Sequence, residues 1–245
     1  MSVWLEIDND KKQLSTSAMC DVSFRITCCS LPIDHAADLA QSLCQTNQWL
    51  HELHGTGIHP IHVAGSQNGW QRPDNDDQLL LLSKRTRLKI RIDTAHTDQL
   101  IASLNGTTHR IAEHELQILD GNPIELRPAA TLFSRYTVYL QDQPTKRSKG
   151  AITTASEDIG KDEEQFVRRV ISDCEQLGFA PTKVLCGRSL PIATTDGPVI
   201  ARSILLADVP REHSLSLQER GLGDLRLMGC GIVIPHKDTG AVNQE

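Results

Sequence analysis

Aromatic residues are scarce in this 245-residue chain, because Phe, Tyr and Trp together make up only 4% of it. A binding surface built from many stacked rings is therefore excluded. A globally basic coat is excluded as well, since 25 Lys and Arg stand against 31 Asp and Glu, for a formal charge of −6. A basic patch on one face of the molecule remains open, because charge can segregate by face.

The chain also lacks long apolar runs and paired cysteines. The densest apolar run, residues 79–82, is far shorter than the roughly 18 residues that cross a bilayer, and the acidic N-terminus lacks the basic-then-apolar order of a secretory signal. Seven scattered cysteines contain no CxxC pair, so neither a zinc ribbon nor a thioredoxin-type site is indicated. We therefore expect a cytoplasmic protein without a membrane partner, a metal or a small-molecule cofactor.

Both halves of the chain show the same order of predicted elements. Alternating apolar residues over 20–31 predict a strand, and helical spacing after Asp34 predicts a helix with Asp34 as its N-cap. Two strands, a helix and a last strand follow at residues 78–83, 86–93, 97–104 and 109–119. The second half repeats this order with strands at 131–141, 182–188, 199–207 and 232–234 and with helices at 162–177 and 210–220.

This order predicts an α+β chain of two tandem ferredoxin-like (RRM-like) domains, each a β-α-β-β-α-β unit. We place the boundary after residue 127, which gives an N-terminal domain of residues 1–127 and a C-terminal domain of residues 128–245.

A basic strand is the clearest charge pattern. Arg85, Arg87, Lys89 and Arg91 fall at alternate positions, and no acidic residue interrupts residues 83–92. The apolar residues between them would face the core and leave the cations on the other face. Such a face is an electrostatic footprint for a phosphate backbone, and a solvated outer face of a sheet explains it equally well.

A glycine-rich loop precedes the last predicted strand. Gly221, Gly223, Gly229 and Gly231 permit a positive φ and a close approach of the backbone to a ligand, and N–H groups exposed there could hold a phosphate. The loop lacks the Lys-Ser/Thr of a P-loop, and it follows a helix where a dinucleotide-binding fold would have a strand. A tight connection from helix to strand is the alternative.

Histidines supply the candidates for acid–base chemistry, because imidazole titrates near neutral pH. His35 is predicted at the start of the first helix, where an ordinary surface position is the alternative. His51, His54, His59 and His62 lie in the long loop that follows. No HExxH spacing occurs, and glycines and a proline break any helical register, so we predict no metal site there.

Three segments resemble the CRISPR repeat-processing endoribonucleases of the RAMP superfamily, in the form first described from myxobacteria. Residues 217–235 (LQERGLGDLRLMGCGIVIP) resemble the C-terminal glycine-rich signature of that family. Residues 31–39 (LPIDHAADL), and residues 49–51 (WLH) with 57–61 (GIHPI), resemble its N-terminal landmarks. The resemblance implies two ferredoxin-like domains and metal-independent cleavage of precursor CRISPR RNA within its repeats. The 2′-hydroxyl would attack the phosphate and leave a cyclic phosphate and a 5′-hydroxyl.

On this resemblance we expect His35 to be the catalytic residue, with His59 and then His51 as alternatives. The residues expected to contact RNA are Lys84, Arg85, Arg87, Lys89, Arg91, Arg168, Arg169, Arg220, Gly221, Gly223, Arg226, Gly229 and Gly231. For Arg168 and Arg169 a solvated helix face is the alternative, and for Arg226 an ion pair with Asp224.

The expected partners are CRISPR repeat RNA, the mature CRISPR RNA (crRNA) that stays bound, and other subunits of a CRISPR effector complex. The alternative function is a non-catalytic crRNA-binding subunit of such a complex. Because the aromatic pairs of an RNA-stacking sheet are lacking, we expect recognition by shape and backbone.

Overall fold

The computed structural model describes residues 17–62, 79–142 and 156–236. Within these ranges the chain forms two large antiparallel sheets, each covered on one face by two helices, and one small two-stranded sheet. No helix in the described ranges is long and apolar enough to cross a membrane.

The first domain contains the five-stranded sheet. Its elements are β1 (Met19–Thr27), β2 (Ser30–Pro32), α1 (Ala36–Thr46), β3 (Gly57–Ile58), β4 (Leu79–Leu81), β5 (Arg87–Asp93), α2 (Thr97–Leu104), β6 (Thr108–Ile111) and β7 (His114–Glu125). The strand order β3-β5-β1-β7-β6 is that of a ferredoxin-like sheet with one hairpin strand added at the edge.

The second strand of this domain is formed by a different segment from the one that the sequence pattern predicts. The segment predicted at 78–83 forms β4, which pairs with β2 in the small separate sheet. The short strand β3 takes its place and pairs with β5. A strand of two residues is too short to show alternation, so sequence periodicity could not reveal it. The predicted N-cap is also wrong, because His35 takes that position without a capping side-chain hydrogen bond.

The second domain repeats the topology without additions. Its elements are β8 (Leu132–Thr137), α3 (Ser156–Glu175), β9 (Lys183–Ile192), β10 (Val199–Ala207), α4 (Arg211–Arg220) and β11 (Val233–Pro235). The strand order β11-β8-β10-β9 is the ferredoxin-like order. The predicted fold class, two tandem ferredoxin-like domains, is confirmed, and the boundary after residue 127 stays a prediction.

Each sheet buries the apolar face that its strand periodicity predicts. In the first domain Val22 and Phe24 of β1 are fully buried against Leu43 of α1. In the second domain Val170 of α3 packs against Ile204 of β10. Both sheets therefore turn one face to their helices and leave the other face, called here the outward face, for the partner domain or for solvent.

A buried arginine connects the two domains. Arg91 projects from the outward face of β5 and is 0% exposed. Its Nε and Nη2 donate to the two carboxylate oxygens of Asp21, at 2.8 and 3.0 Å. Its Nη1 donates to the carbonyl oxygens of Gln218 and Val233 in the second domain, at 2.8 and 2.6 Å. The donors of Arg91 are therefore buried and used within the protein, so this structure gives no support to the expectation that Arg91 contacts RNA.

Asp21 is ionised because of this contact. Burial by itself would raise the pKa of Asp21, but the hydrogen bonds and charges of His59 and Arg91 outweigh burial and hold the pKa far below its usual value. The pair is therefore a desolvated ion pair that also satisfies two backbone carbonyls of the neighbouring domain.

The glycine-rich loop forms the other part of the junction between the domains. Gly221, Gly223, Gly229 and Gly231 all have positive φ. A Cβ at Gly229 would collide with Pro60 of the first domain. Because glycine has no side chain, the loop can pack closely against the first domain. This matches the alternative prediction of a tight connection from helix to strand.

The other glycines of this loop approach backbone carbonyls. A Cβ at Gly223 would collide with the carbonyl oxygen of Val138, and a Cβ at Gly231 with that of Leu222. The absence of a Cβ at Gly223 and Gly231 therefore permits close contacts within the protein, and the expected RNA contact of these two glycines stays a prediction.

We predict that Arg91→Met lowers the free energy of unfolding by about 3–5 kcal/mol, because it leaves the Asp21 carboxylate buried without its partner. Lys89→Met, on the same strand and face but exposed, is the control and should change stability by no more than about 0.5 kcal/mol. Urea unfolding measures both. Equal midpoints for the two variants would show that Arg91 does not hold the domains together.

We also predict that Gly231→Ala lowers the free energy of unfolding by roughly 3 kcal/mol or more. A residue with a side chain is strained at this positive φ, and its Cβ would collide with the Leu222 carbonyl. Gly106→Ala is the matched control, because Gly106 has φ +79° but nothing within 4 Å of the added carbon. It should cost only about 1 kcal/mol. Similar losses in urea unfolding for both variants would contradict the close approach at Gly231.

Candidate active site and nucleic-acid interface

His59 is the histidine that the fold equips for acid–base chemistry. It directly follows β3, and its backbone N–H donates to the carbonyl oxygen of Lys89 at 2.9 Å. Its Nε2 lies 3.2 Å from Oδ1 of Asp21, and its side chain is 15% exposed. The carboxylate that Arg91 holds can only accept, so Nε2 carries the proton and Nδ1 keeps its lone pair. Nδ1 has no hydrogen-bond partner within the described residues.

The surroundings of His59 keep its ring neutral. Burial lowers the pKa of His59, the carboxylate of Asp21 opposes that effect, and the charges of Arg91 and Lys89 lower the pKa further. A neutral ring whose Nε2 is oriented by a carboxylate is the arrangement that a general base requires.

His35 occupies the predicted position at the start of α1, but its ring is only 2% exposed. Its Nδ1 lies 2.8 Å from the carbonyl oxygen of Pro32, and its Nε2 accepts the backbone N–H of Ile61 at 2.9 Å. Both ring nitrogens therefore form hydrogen bonds to backbone groups, and proton transfer to or from the ring would break one of these hydrogen bonds. These bonds hold the segment that carries His59, so the geometry favours His59 over His35, and the choice of His35 as catalytic residue stays a prediction.

His51 and His62 lie elsewhere around the junction. His51 is exposed at the end of a short 3₁₀ helix (Gln48–His51) and lines a groove with Met228. The His62 ring lies 6.4 Å from the ring of Tyr136 in the second domain, centroid to centroid. Burial and the charge of Arg135 lower the pKa of His62 to about 3. Sequence reasoning assigned His62 no role, because nothing near it in the chain signals a partner 74 residues away.

The outward face of β5 keeps part of the predicted basic surface. Lys84 and Arg85 are exposed in the turn before the strand, Lys89 is exposed on it, and Arg87 is half-buried. Arg25 of β1 lies opposite Arg87 in the sheet register and adds a further cation, which also binds Asp120. Sequence reasoning missed Arg25, although the alternation of β1 placed it on the polar face.

A polar cleft in the second domain brings four of the predicted RNA-contacting residues together. They are Arg169, Arg220, Gly221 and Gly223. The N–H group of Gly223 donates to the carboxylate of Asp173 at 3.1 Å, so the phosphate contact expected for it is already occupied. Because carboxylates line this cleft beside the arginines, it is less favourable to an anion than the face of β5.

The arginines outside this cleft have other partners. Arg168 is exposed and forms an ion pair with Glu164 at 2.7 Å, which matches a solvated helix face. Arg226 donates to the carbonyl oxygens of Arg220 and Gly55, the latter at 2.7 Å. Burial lowers the pKa of Arg226 to about 10. In the part of the chain that the structure describes, Arg226 forms no ion pair with Asp224, and its hydrogen bonds hold the loop against the first domain.

The described residues contain no cluster of three or more His, Cys, Asp or Glu that could hold a metal ion. The polar groups of the candidate site are instead one imidazole, one carboxylate and cations.

Solved structures share this fold. A Cas6-related protein from Pyrococcus furiosus superposes with a TM-score of 0.57 at 12% identity and covers 88% of this chain and 97% of its own. A protein described as a RAMP protein binding different RNA substrates gives a TM-score of 0.57 at 12% identity, covering 89% of this chain and 100% of its own. A CRISPR-associated protein Cas6 gives 0.56 at 11% identity, with coverages of 89% and 100%.

Sequence comparison agrees with the fold. The CRISPR-associated endonuclease Cas6 of Myxococcus xanthus (strain DK1622) is 27% identical over 216 residues, which are 88% of this chain and 80% of that protein. The model of the CRISPR family Cas6 matches residues 20–238, nearly the whole chain. The resemblance carried by the glycine-rich signature and the N-terminal landmarks is therefore confirmed, and the chain belongs to the Cas6 family of CRISPR-associated proteins.

Proposed function

We propose that this protein is an endoribonuclease that cleaves precursor CRISPR RNA within its repeats, without a metal ion, and keeps the mature crRNA bound. Membership of the Cas6 family supports this, as does a relative named as a CRISPR-associated endonuclease. The observation that carries the proposal is the chain of contacts from Arg91 through Asp21 to His59, which ends beside the basic outward face of β5.

The proposed chemistry uses only groups of the RNA and the protein. His59 Nδ1 takes the proton of the 2′-hydroxyl, and the 2′-oxygen bonds to the adjacent phosphorus. The bond from phosphorus to the 5′-oxygen breaks, and the imidazolium returns the proton to that oxygen. The products are a 2′,3′-cyclic phosphate and a 5′-hydroxyl, so atoms and charge balance.

Lys89 is the cation that this proposal places beside the reacting phosphate. In the register of β1 and β5, Ser23 lies opposite Lys89 and Asp21 opposite Arg91, so Lys89 and Arg91 share the outward face with Asp21. The Lys89 side chain is exposed, and its charge acts on His59. An ammonium group there stabilises the extra negative charge that develops on the phosphate in the transition state.

Retention of the product follows from the same surface. Cleavage breaks one phosphodiester bond and leaves the remaining phosphates in contact with the basic face, so most of the electrostatic attraction survives the reaction. Assembly with other subunits of a CRISPR effector complex stays a prediction from the family resemblance, and a cytoplasmic location stays a prediction from the cysteine pattern and the N-terminal sequence.

We predict that His59→Gln slows single-turnover cleavage of repeat RNA by about 10²–10⁴-fold while RNA affinity stays within a few-fold. The Gln amide can still donate to Asp21, but it cannot accept the proton. His51→Ala is the control, because His51 is exposed and has no part in this mechanism, and it should cut at the wild-type rate. Gel analysis of labelled repeat RNA measures both variants.

Three results would decide against parts of the proposal. Full cutting by His59→Gln would remove His59 as the base. Loss of wild-type cutting in EDTA would overturn the metal-independent mechanism. Tight binding by the wild type without any cutting would favour the non-catalytic crRNA-binding subunit.

We further predict a weaker salt dependence of RNA binding for the double variant Lys84→Ala, Arg87→Ala. The negative slope of the log binding constant against log salt concentration should become shallower by about 2, or about 1 for each lost phosphate contact. The RNA would carry a 2′-deoxy nucleotide at the cut site, so that only binding is measured. The control is Arg110→Ala, Arg211→Ala, which removes two exposed cations on β6 and α4. Equal slopes for the two double variants would exclude this part of the β5 face from the interface.

A further inference from the structure

We propose that the outward face of the second domain's sheet binds an unpaired nucleotide of single-stranded RNA by stacking the base on Phe133. This inference rests on the proposed RNA function and adds to it a second contact, away from the cleavage chemistry. It revises the expectation from composition that recognition uses only shape and backbone.

The strand register reveals an apolar row that the sequence does not show. Phe133 of β8 lies opposite Leu205 of β10 and Ile234 of β11, and Leu205 lies opposite Leu185 of β9. These four side chains therefore share one face and form a row across all four strands. Leu132, the neighbour of Phe133, is fully buried on the helix side, so the row lies on the outward face.

Part of this row is open to solvent. Leu185 is 67% exposed, Ile234 is 37% exposed, and Phe133 and Leu205 are half-buried. An apolar row that spans a whole sheet and faces water marks a binding surface more often than a chance feature. Its centre is an aromatic ring on a central strand, where RRM-type sheets stack the bases of single-stranded RNA.

Polar side chains lie beside the ring at the centre of the row. The Arg135 guanidinium carbon lies 5.7 Å from the Phe133 ring centroid, and the His236 ring approaches edge-on at 5.8 Å between centroids. Arg188 is exposed and lines a cavity together with Phe133 and Arg135. Among the residues that the structure describes, no Asp or Glu lines that cavity.

The charges distinguish RNA from a protein partner. An apolar row alone would suit either, but the exposed guanidinium of Arg188, in a cavity whose described lining contains no Asp or Glu, favours an anionic ligand. A nucleotide supplies a flat base for Phe133 and a phosphate for Arg188. An unpaired nucleotide is required, because a base within a duplex presents no free face for stacking.

The test compares whole repeat RNA, with its unpaired ends, and its trimmed stem, both with a 2′-deoxy nucleotide at the cut site. Phe133→Leu keeps an apolar side chain but removes the ring. It should weaken binding of the whole repeat by roughly tenfold to a hundredfold and leave binding of the stem unchanged. Phe133→Trp should bind as the wild type does. Leu81→Ala, which truncates an exposed apolar side chain of β4 outside this row, is the matched control and should not change affinity.

A fluorescent readout identifies the stacked base. 2-Aminopurine placed singly at each unpaired position should lose fluorescence at one position on binding to the wild type and keep it on binding to Phe133→Leu. Native far-UV circular dichroism of Phe133→Leu confirms folding, and Phe133→Trp tests stacking independently of that variant.

Other outcomes would overturn the proposal. If Phe133→Leu binds whole repeat RNA as tightly as the wild type and still cuts it, the stacking site is excluded and the proposed function stands. If the wild type neither binds nor cuts repeat RNA, both proposals fall. If Phe133→Leu converts a dimer to a monomer without changing RNA affinity, the row is a protein interface.

Discussion

The guanidinium of Arg91 is the group on which the rest of this structure depends. It is fully buried, and it reaches its full set of acceptors only when Asp21 of its own sheet and two carbonyl groups of the second domain are all in place. A buried charge without these partners would cost several kcal/mol. Docking of the domains therefore completes the hydrogen bonding of Arg91, and the Asp21 carboxylate that Arg91 binds also orients the imidazole of His59.

The glycine-rich loop acts in that same junction. Its glycines let the backbone turn at positive φ and pack against Pro60 and neighbouring carbonyl groups, and Arg226 holds it to the carbonyl of Gly55. The segment that most clearly marks the family is thus explained by contact between the domains. His35 has a comparable role within the first domain, since it joins the backbone before α1 to the segment after β3. Both features contact the segment that carries His59, the proposed general base.

The two sheets use the same topology for different surfaces. The outward face of the first sheet is charged, with His59 and Asp21 at one end and cations along β5. The outward face of the second sheet is apolar at its centre, with the Arg135 guanidinium over the Phe133 ring. We propose phosphates as the ligands of the first face and an unpaired base as the ligand of the second. A net charge of −6 does not exclude this proposed binding, because the exposed cations Lys84, Arg85 and Lys89 are gathered on and beside β5.

Local pattern in the sequence determined the features that depend on residues close together in the chain. These are the apolar alternation of β1, the apolar stripe of α3, the repeated order of elements and the basic face of β5. It could not locate β3, because two residues carry no period. It placed His35 at the start of α1 but could not show that Pro32 and Ile61 take both ring nitrogens. Only the tertiary structure decided that Arg91 is buried, that Asp21 orients His59 and that Phe133 lies in an exposed row. Each of those facts depends on partners distant in the chain, and strand register and domain docking, which no local period encodes, bring them together.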